Sequence, residues 1–179
     1  MGRIDISDFA RKLDALVTTY SRLPTEIATI AVNFSKERFR EQAWFDQTKE
    51  PWTPRKRARK GSGRRSQTLL VDKGRLKRSI RKISATTDKV VIGTDVPYAE
   101  IHNNGGVINQ VVSVKQHTRK AHSRSRKGRK ESVKEHIVKS HRRKMNVRIP
   151  ARPFLGNSQE LQRRILEHIT SRFEQALNS

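Results

Sequence analysis

Val114-Lys115-Gln116-His117-Thr118-Arg119 is answered further along the chain by Val138-Lys139-Ser140-His141-Arg142-Arg143, a V-K-x-H-x-R pattern stated twice. The midpoint between the two histidines is Arg129, inside the turn-like run Arg126-Lys127-Gly128-Arg129-Lys130. Two similar strands folding back at that point make a long β-hairpin with the repeats facing each other. No bulky apolar residue lies between Val114 and Val133, so the tip cannot belong to a core. It is expected to project, or to stay disordered until something orders it. An arm of about a dozen residues at ~3.3 Å each would reach ~40 Å.

On the C-terminal side, Ile149-Pro150-Ala151-Arg152-Pro153-Phe154-Leu155-Gly156 carries two prolines that forbid a helix. An extended segment is expected there, pinned by Phe154 and Leu155. Asn157 or Ser158 then caps a final helix with Glu160 in its first turn and Leu161, Ile165, Ile169, Phe173 and Leu177 on its apolar face. On the N-terminal side, Tyr98 to Asn103 reads as one or two helical turns closed by Asn104-Gly105-Gly106. Residues 81–86 and 89–94 read as two strands joined at Thr86-Thr87-Asp88, the second ended by Gly93. Gly74 to Ile80 is a short helix with Leu76 and Ile80 on one face. Residues 51–67 hold seven cations and no acid, a flexible basic loop without period. Before it, two helices are expected over 5–45. Ile6, Phe9, Leu13, Leu16, Val17 and Tyr20 stripe the first. Pro24 opens the second, whose stripe of Ile27, Ile30, Ala31, Phe34, Arg38 and Phe39 runs on to Trp44 and Phe45. The fold class is α+β: N-terminal helices, a small antiparallel sheet with short helices, a long basic hairpin and a C-terminal helix.

With 179 residues the chain fits a single domain, 1–179, whose appendages are the loop at 51–67 and the arm at 107–148. Lys+Arg number 40 against 17 Asp+Glu, a formal net charge of +23, and hydrophobic residues reach 33%. A charge that large repels itself unless a partner supplies the opposite sign. Segment 107–148 alone has fourteen Lys/Arg, with Glu131 and Glu135 as its acids. The absence of cysteine excludes disulfides and zinc ribbons and suits a reducing cytosol. The N-terminus lacks the apolar run of a signal peptide, and no apolar stretch is long enough to span a bilayer, so a soluble protein without membrane contact is expected.

Chemistry finds no foothold. His117, His122, His136 and His141 lie among cations that oppose both protonation and metal binding. His102 reads as a hydrogen-bonding residue of a short helix, without a nucleophile or acid beside it. The glycines do not form a phosphate-cradling loop. No enzyme, metal or cofactor is therefore expected. The cations read as contacts to phosphate or to a partner: Arg55, Lys56, Arg57, Arg59 and Lys60 in the loop, and Lys115, Arg119, Lys120, Arg124, Arg126, Lys127, Arg129, Lys130, Lys139, Arg142 and Arg143 in the hairpin. Lacking interleaved aromatics and a recognition helix, they suit the duplex backbone without sequence readout.

Trp52-Thr53-Pro54, Leu69-Leu70, Gly74-Arg75-Leu76-Lys77-Arg78-Ser79-Ile80, Val91-Ile92-Gly93-Thr94, Tyr98 through Gly106 and the 149–156 run follow one another in an order and spacing that carry a resemblance. The chain resembles the virion morphogenesis, or tail completion, family of Mu-like and P2-like phages. The resemblance implies a structural neck protein that terminates the tail and joins it to the head as a ring, six copies being expected, around the DNA channel. Its partners would be its own copies, connector and neck proteins, the tail tube protein and the DNA backbone. It would be made in the bacterial host cytoplasm and reside in the virion. Trp52, Pro54, Gly74, Leu76, Gly93, Tyr98, His102, Gly105, Pro150, Arg152, Pro153 and Phe154 would chiefly fix the small fold, with Tyr98 and Phe154 as core aromatics. Charge alone admits an alternative, a sequence-nonspecific nucleic-acid-binding protein with a packaging or regulatory role.

Overall fold

In the computed structural model, which describes residues 6–55, 68–126 and 128–178, both N-terminal stripes belong to one helix. This helix, α1 (Ile6–Glu41), has Pro24 in its interior, so the two expected helices are one. Proline forfeits one backbone bond and costs about 3 kcal/mol in a helix interior. Burying Leu23 and Phe34 on the same face returns about 1.5–3 kcal/mol each, and Ala28, Ala31 and Phe39 are buried with them. Tertiary packing therefore outweighs the local break. α1 ends at Gln42, whose φ of 53° is left-handed. Trp44 and Phe45 do not extend the helix. They lie on β1 (Ala43–Phe45), paired antiparallel with β2 (Lys49–Pro51).

The chain divides into two compact units, Met1–Gly105 with Pro150–Ser179, and Gly106–Ile149. In the first unit, α2 (Arg75–Ser79) buries Leu76 beside Ile80, as their shared face predicts. β3 (Arg81–Ala85) pairs antiparallel with β4 (Val90–Gly93) through a bulge between Lys82 and Ser84. A side chain at Gly93 would meet only the Ile83 Cδ1 atom, at 2.7 Å, the tip of an exposed side chain that can move aside. α3 (Ala99–Asn104) closes at Gly105, whose φ of 73° favours glycine. α4 (Gln159–Leu177) starts at Ser158, whose hydroxyl accepts from Leu161 N at 3.2 Å, the expected cap. It runs antiparallel to α1. Arg164 Nη1 reaches Glu37 Oε2 at 2.9 Å, while Arg172 Nη2 and His168 Nε2 reach Glu26 at 3.1 and 2.7 Å.

The core of this unit is Phe39, Trp52, Leu69, Leu76, Ile80, Val96, Ala99 and Phe154. Phe39 meets Trp52 edge-on, with centroids 5.6 Å apart, and packs on Phe154 at 5.0 Å. Tyr98 is a correction: 42% exposed, it stays out of the core and sets its ring edge against His102. Arg38, which periodicity placed on the apolar stripe, is fully buried. Its guanidinium lies 4.3 Å from the centre of the Phe34 ring, and its Nε donates to the Phe34 carbonyl.

The second unit is an antiparallel hairpin in one unbroken register. β5 (Gly106–Val114) pairs with β10 (His141–Ile149), β6 (His117–Arg119) with β9 (His136–Val138), and β7 (His122–Arg126) with β8 (Arg129–Val133). The repeats do face each other, but each histidine opposes the other repeat's valine: His117 pairs with Val138, and His141 with Val114. The fold-back falls between Arg126 and Arg129, ahead of the expected midpoint, and Gly128 there has a φ of 80°. Two-residue hairpin loops need such a residue, so turn chemistry overrides the symmetry of the repeat. The paired run exceeds the dozen residues expected, since its ladder starts at Gly106 with Ile149.

Candidate functional site

The cations gather in two places, one in each unit. In the hairpin, period-two alternation sorts the base ladder into two faces. Ile108, Val112, Val114, Met145 and Val147 share one face with His141 and Arg143. Arg142, Lys144 and Arg148 share the other with Val107 and Val111. Nearer the tip, Arg119 pairs opposite His136, and Arg124 sits opposite Glu131 with Nε 3.0 Å from Oε2. That exposed pair adds little stability, but it engages Arg124 locally. Lys115, Lys120, Arg129, Lys130, Lys139, Arg142 and Arg143 are exposed, as phosphate or partner contact requires. Lys56, Arg57, Arg59, Lys60 and Lys127 lie outside the described residues, as does the side chain of Arg126.

The ladder lapses twice, at Lys115-Gln116 opposite Lys139-Ser140 and at Lys120-Ala121 opposite Lys134-Glu135. After each pair comes a histidine whose Nδ1 lies 3.0–3.1 Å from the carbonyl of the lysine two residues back: His117 on Lys115, His122 on Lys120, His136 on Lys134 and His141 on Lys139. A carbonyl can only accept, so Nδ1 carries the proton and Nε2 is left for other partners. Each ring thus supplies a donor to a carbonyl at the edge of a lapse. The V-K-x-H-x-R reading saw half of this. The shorter unit K-x-H occurs four times in the hairpin, and counting it would have located both lapses.

The second cluster lies around the Ile149–Gly156 run. Arg152 is 8% exposed, and its Nε and Nη2 both donate to the Thr53 carbonyl, at 3.0 and 2.8 Å. Its backbone N–H donates to the His102 carbonyl at 2.8 Å. Asn103 Oδ1 accepts from the N–H groups of Phe154 and Leu155, both at 2.9 Å, and Trp52 Nε1 donates to the Pro153 carbonyl at 3.0 Å. Trp52, His102, Asn103 and Arg152 therefore splice three distant stretches of chain together. Pro54 is exposed, while Pro150 and Pro153 are half-buried. Beside them is a cavity of about 420 Å³ lined by Arg55, Lys73, Arg75, Arg152, Tyr98 and His102, with Asp72 and apolar residues from Leu69 to Leu76. Burial first, and the Arg55 guanidinium second, push Arg152 below the usual arginine value. Burial and then Arg152 push His102 below its ordinary 6.5, which keeps the ring neutral at pH 7. Among the described residues its buried Nδ1 has no hydrogen-bond partner, so the expected buried hydrogen bond is made by the backbone and not by that atom. Among the same residues no group of acids and histidines forms a metal site, and no helix is long and apolar enough to cross a membrane.

The motif series thus marks residues in mutual contact, and its order along the chain can be compared with known families. The model of the phage virion morphogenesis family matches residues 4–174. The chain belongs to that family. Its role is in assembling the phage virion, and the match takes in the hairpin as well as the unit that holds the motif. Neither a curated protein nor a solved structure gives a match. In this member of the phage virion morphogenesis family the exposed cations of the hairpin and the cavity beside Arg152 lie in different units.

Proposed function

We propose that the chain is a non-catalytic structural component of the phage neck, completing the tail and joining it to the head as a ring of six copies around the DNA channel. The family match over 4–174 supports the assembly role. The observation that carries the finer reading is the charge of the hairpin, fourteen Lys/Arg in 107–148 against Glu131 and Glu135, the former already paired with Arg124. Such an array holds a phosphate backbone without reading bases, which a conduit for passing DNA requires. A ring repeats it around the axis, so weak contacts add. Connector and neck proteins on one side and the tail tube protein on the other are its protein partners.

Negative-stain microscopy and light scattering of the purified chain, alone and with tail tubes or connectors, test this. Rings, or tails capped at one end, are the expected result. A strict monomer that binds neither tails nor connectors overturns it. The same cations favour a second reading, a sequence-nonspecific nucleic-acid binder in packaging or regulation. That reading requires tight DNA binding by the isolated chain. With six to ten phosphates contacted, its affinity would fall by about 10³–10⁵ between 50 and 200 mM salt, and it would be lost on deleting residues 115–142.

A further inference from the structure

The first three turns of α1 leave their apolar stripe uncovered by the described residues. Ile6, Phe9, Leu13, Val17 and Tyr20 recur on one face at spacings of three and four, yet they are 70, 68, 49, 61 and 52% exposed. No residue of α1 before Thr19 is buried. The cause is the antiparallel course of α4. Its Arg164 meets Glu37 and its Arg172 meets Glu26, so by Leu177 it has run out near Thr19. A helical segment of this length is marginal in water unless its apolar face is covered.

A cavity of about 360 Å³ opens where the exposed stripe ends. It is lined by Tyr20, Leu23 and Ile27 of α1, Val90 of β4, and Ile169 and Phe173 of α4. The chain therefore carries apolar knobs and an apolar hole, neither filled by the described residues. It cannot join them itself, because both lie along one helix. Leu13 and Ile27 are separated by about 21 Å at 1.5 Å per residue. A second copy can.

Charge points to the same occupant. On the stripe segment Asp8 and Asp14 balance Arg11 and Lys12, and at the cavity Asp88 accompanies Lys89. In a chain of net charge +23, these are surfaces where two copies meet without stacking like charge, and neither attracts a polyanion.

We propose that residues 6–17 of one copy dock in the cavity between α1, β4 and α4 of the next, with Phe9 and Leu13 as the inserting side chains. Donor and acceptor surfaces differ, so the contact is head-to-tail, the arrangement that closes into rings. It deepens the ring reading and rests on it by naming the interface between copies.

The chain has no cysteine, so single cysteines report the contact directly. Phe9→Cys or Leu13→Cys chains are mixed under oxidising conditions with Thr87→Cys chains, Thr87 lining the cavity rim. Inter-copy disulfides are expected in those mixtures, and none with Ser123→Cys on the hairpin. In parallel, light scattering of Phe9→Asp/Leu13→Asp chains should show self-association weakened roughly 30-fold or more. The urea midpoint read by Trp44 and Trp52 should be retained, because neither side chain is in the core. If wild-type chains assemble while the double variant assembles equally well and no disulfide forms, the docking proposal fails and the ring reading stands. If wild-type chains stay monomeric alone and with tails, the ring reading fails and takes the docking with it.

Discussion

The motif-bearing unit and the hairpin hold their shapes by different means. In the first, three aromatic rings meet within 6 Å, with Phe39 and Phe154 fully buried, and the side chains of Trp52, Asn103 and Arg152 bond backbone groups of distant stretches. In the second no described residue is buried, and a continuous backbone register with cross-strand pairs defines the structure. A two-stranded ribbon of this kind is marginal on its own in water. The difference lies in what holds each unit: side-chain packing in one, and backbone pairing beneath an exposed, charged surface in the other.

The sharpest way to break the comparison is to open a hole in the first unit. Phe154→Ala removes a ring buried against Phe39 and should cost about 3–5 kcal/mol, a large part of a stability that totals about 5–15 kcal/mol in ordinary domains. Replacing residues 115–140 by a short turn should leave the midpoint of that unit within about 0.5 kcal/mol of wild type. Urea melts followed by tryptophan fluorescence read both variants, since Trp44 and Trp52 lie in the first unit. A hairpin deletion that unfolds the first unit would erase the distinction.

Next in size is Pro24→Ala. The residue was legible as a helix start because proline fits a first turn, and it misled because the packing of Leu23, Phe34 and α4 is invisible to local pattern. Restoring the missing backbone N–H toward the Tyr20 carbonyl should stabilise the first unit by about 1–3 kcal/mol. Two separate helices would gain nothing. The same melts decide.

What the sequence made legible follows the physics of each part. The short helix at 75–79, the β3–β4 pair, the Ser158 cap and the extended 149–156 run rest on local rules: periodicity, turn residues and proline. The β1–β2 pair was missed because three-residue strands have no period to show, and Trp44 and Phe45 continued a helical stripe by chance spacing. Periodicity put Arg38 on the buried stripe, but not the surroundings that receive its charge, the Phe34 ring and Glu37, because these are assembled by folding. The cavity around Arg152 and His102 brings together four stretches, around residues 55, 69–76, 98–102 and 152, which only folding assembles. The cations of the hairpin were countable at once, and their pairing needed only the register.

Acid sharpens the comparison further. Hydrogen bonds from His168 and then Arg172 hold Glu26 below its ordinary value, and those from Arg163 and Arg164 lower Glu160 to about 2. Depressed carboxylates stabilise the folded state above their unfolded value of 4.5, and that stability is lost as pH falls through the folded value. The Glu26 contacts across the α1–α4 seam should therefore weaken as pH falls below about 4.5, and the first turns of α4 around Glu160 between about pH 4.5 and 2. Thermal melts at pH 6 and pH 3 should differ more for wild type than for Glu26→Gln/Glu160→Gln. Equal shifts would mean the seam is not what acid attacks.

The smallest effect belongs to the K-x-H lapses, and it tests whether the hairpin is backbone-defined. Substituting His117 by phenylalanine keeps a ring but removes the Nδ1 donor from the Lys115 carbonyl. A neutral exposed hydrogen bond of this type is worth about 0.5–1.5 kcal/mol net. The loss should appear as faster amide hydrogen exchange at residues 117–119 and 136–138, where that ring anchors the three-residue ladder of β6 and β9. Asparagine at the same position can still place a side-chain N–H near its own backbone, so His117→Asn should recover part of the protection. The first unit should not respond to either change. If exchange at 117–119 is unaltered by phenylalanine, the ring is a passenger on the ribbon, and the four-fold spacing of K-x-H answers to its exposed Nε2 atoms and lysines, the groups a partner would meet.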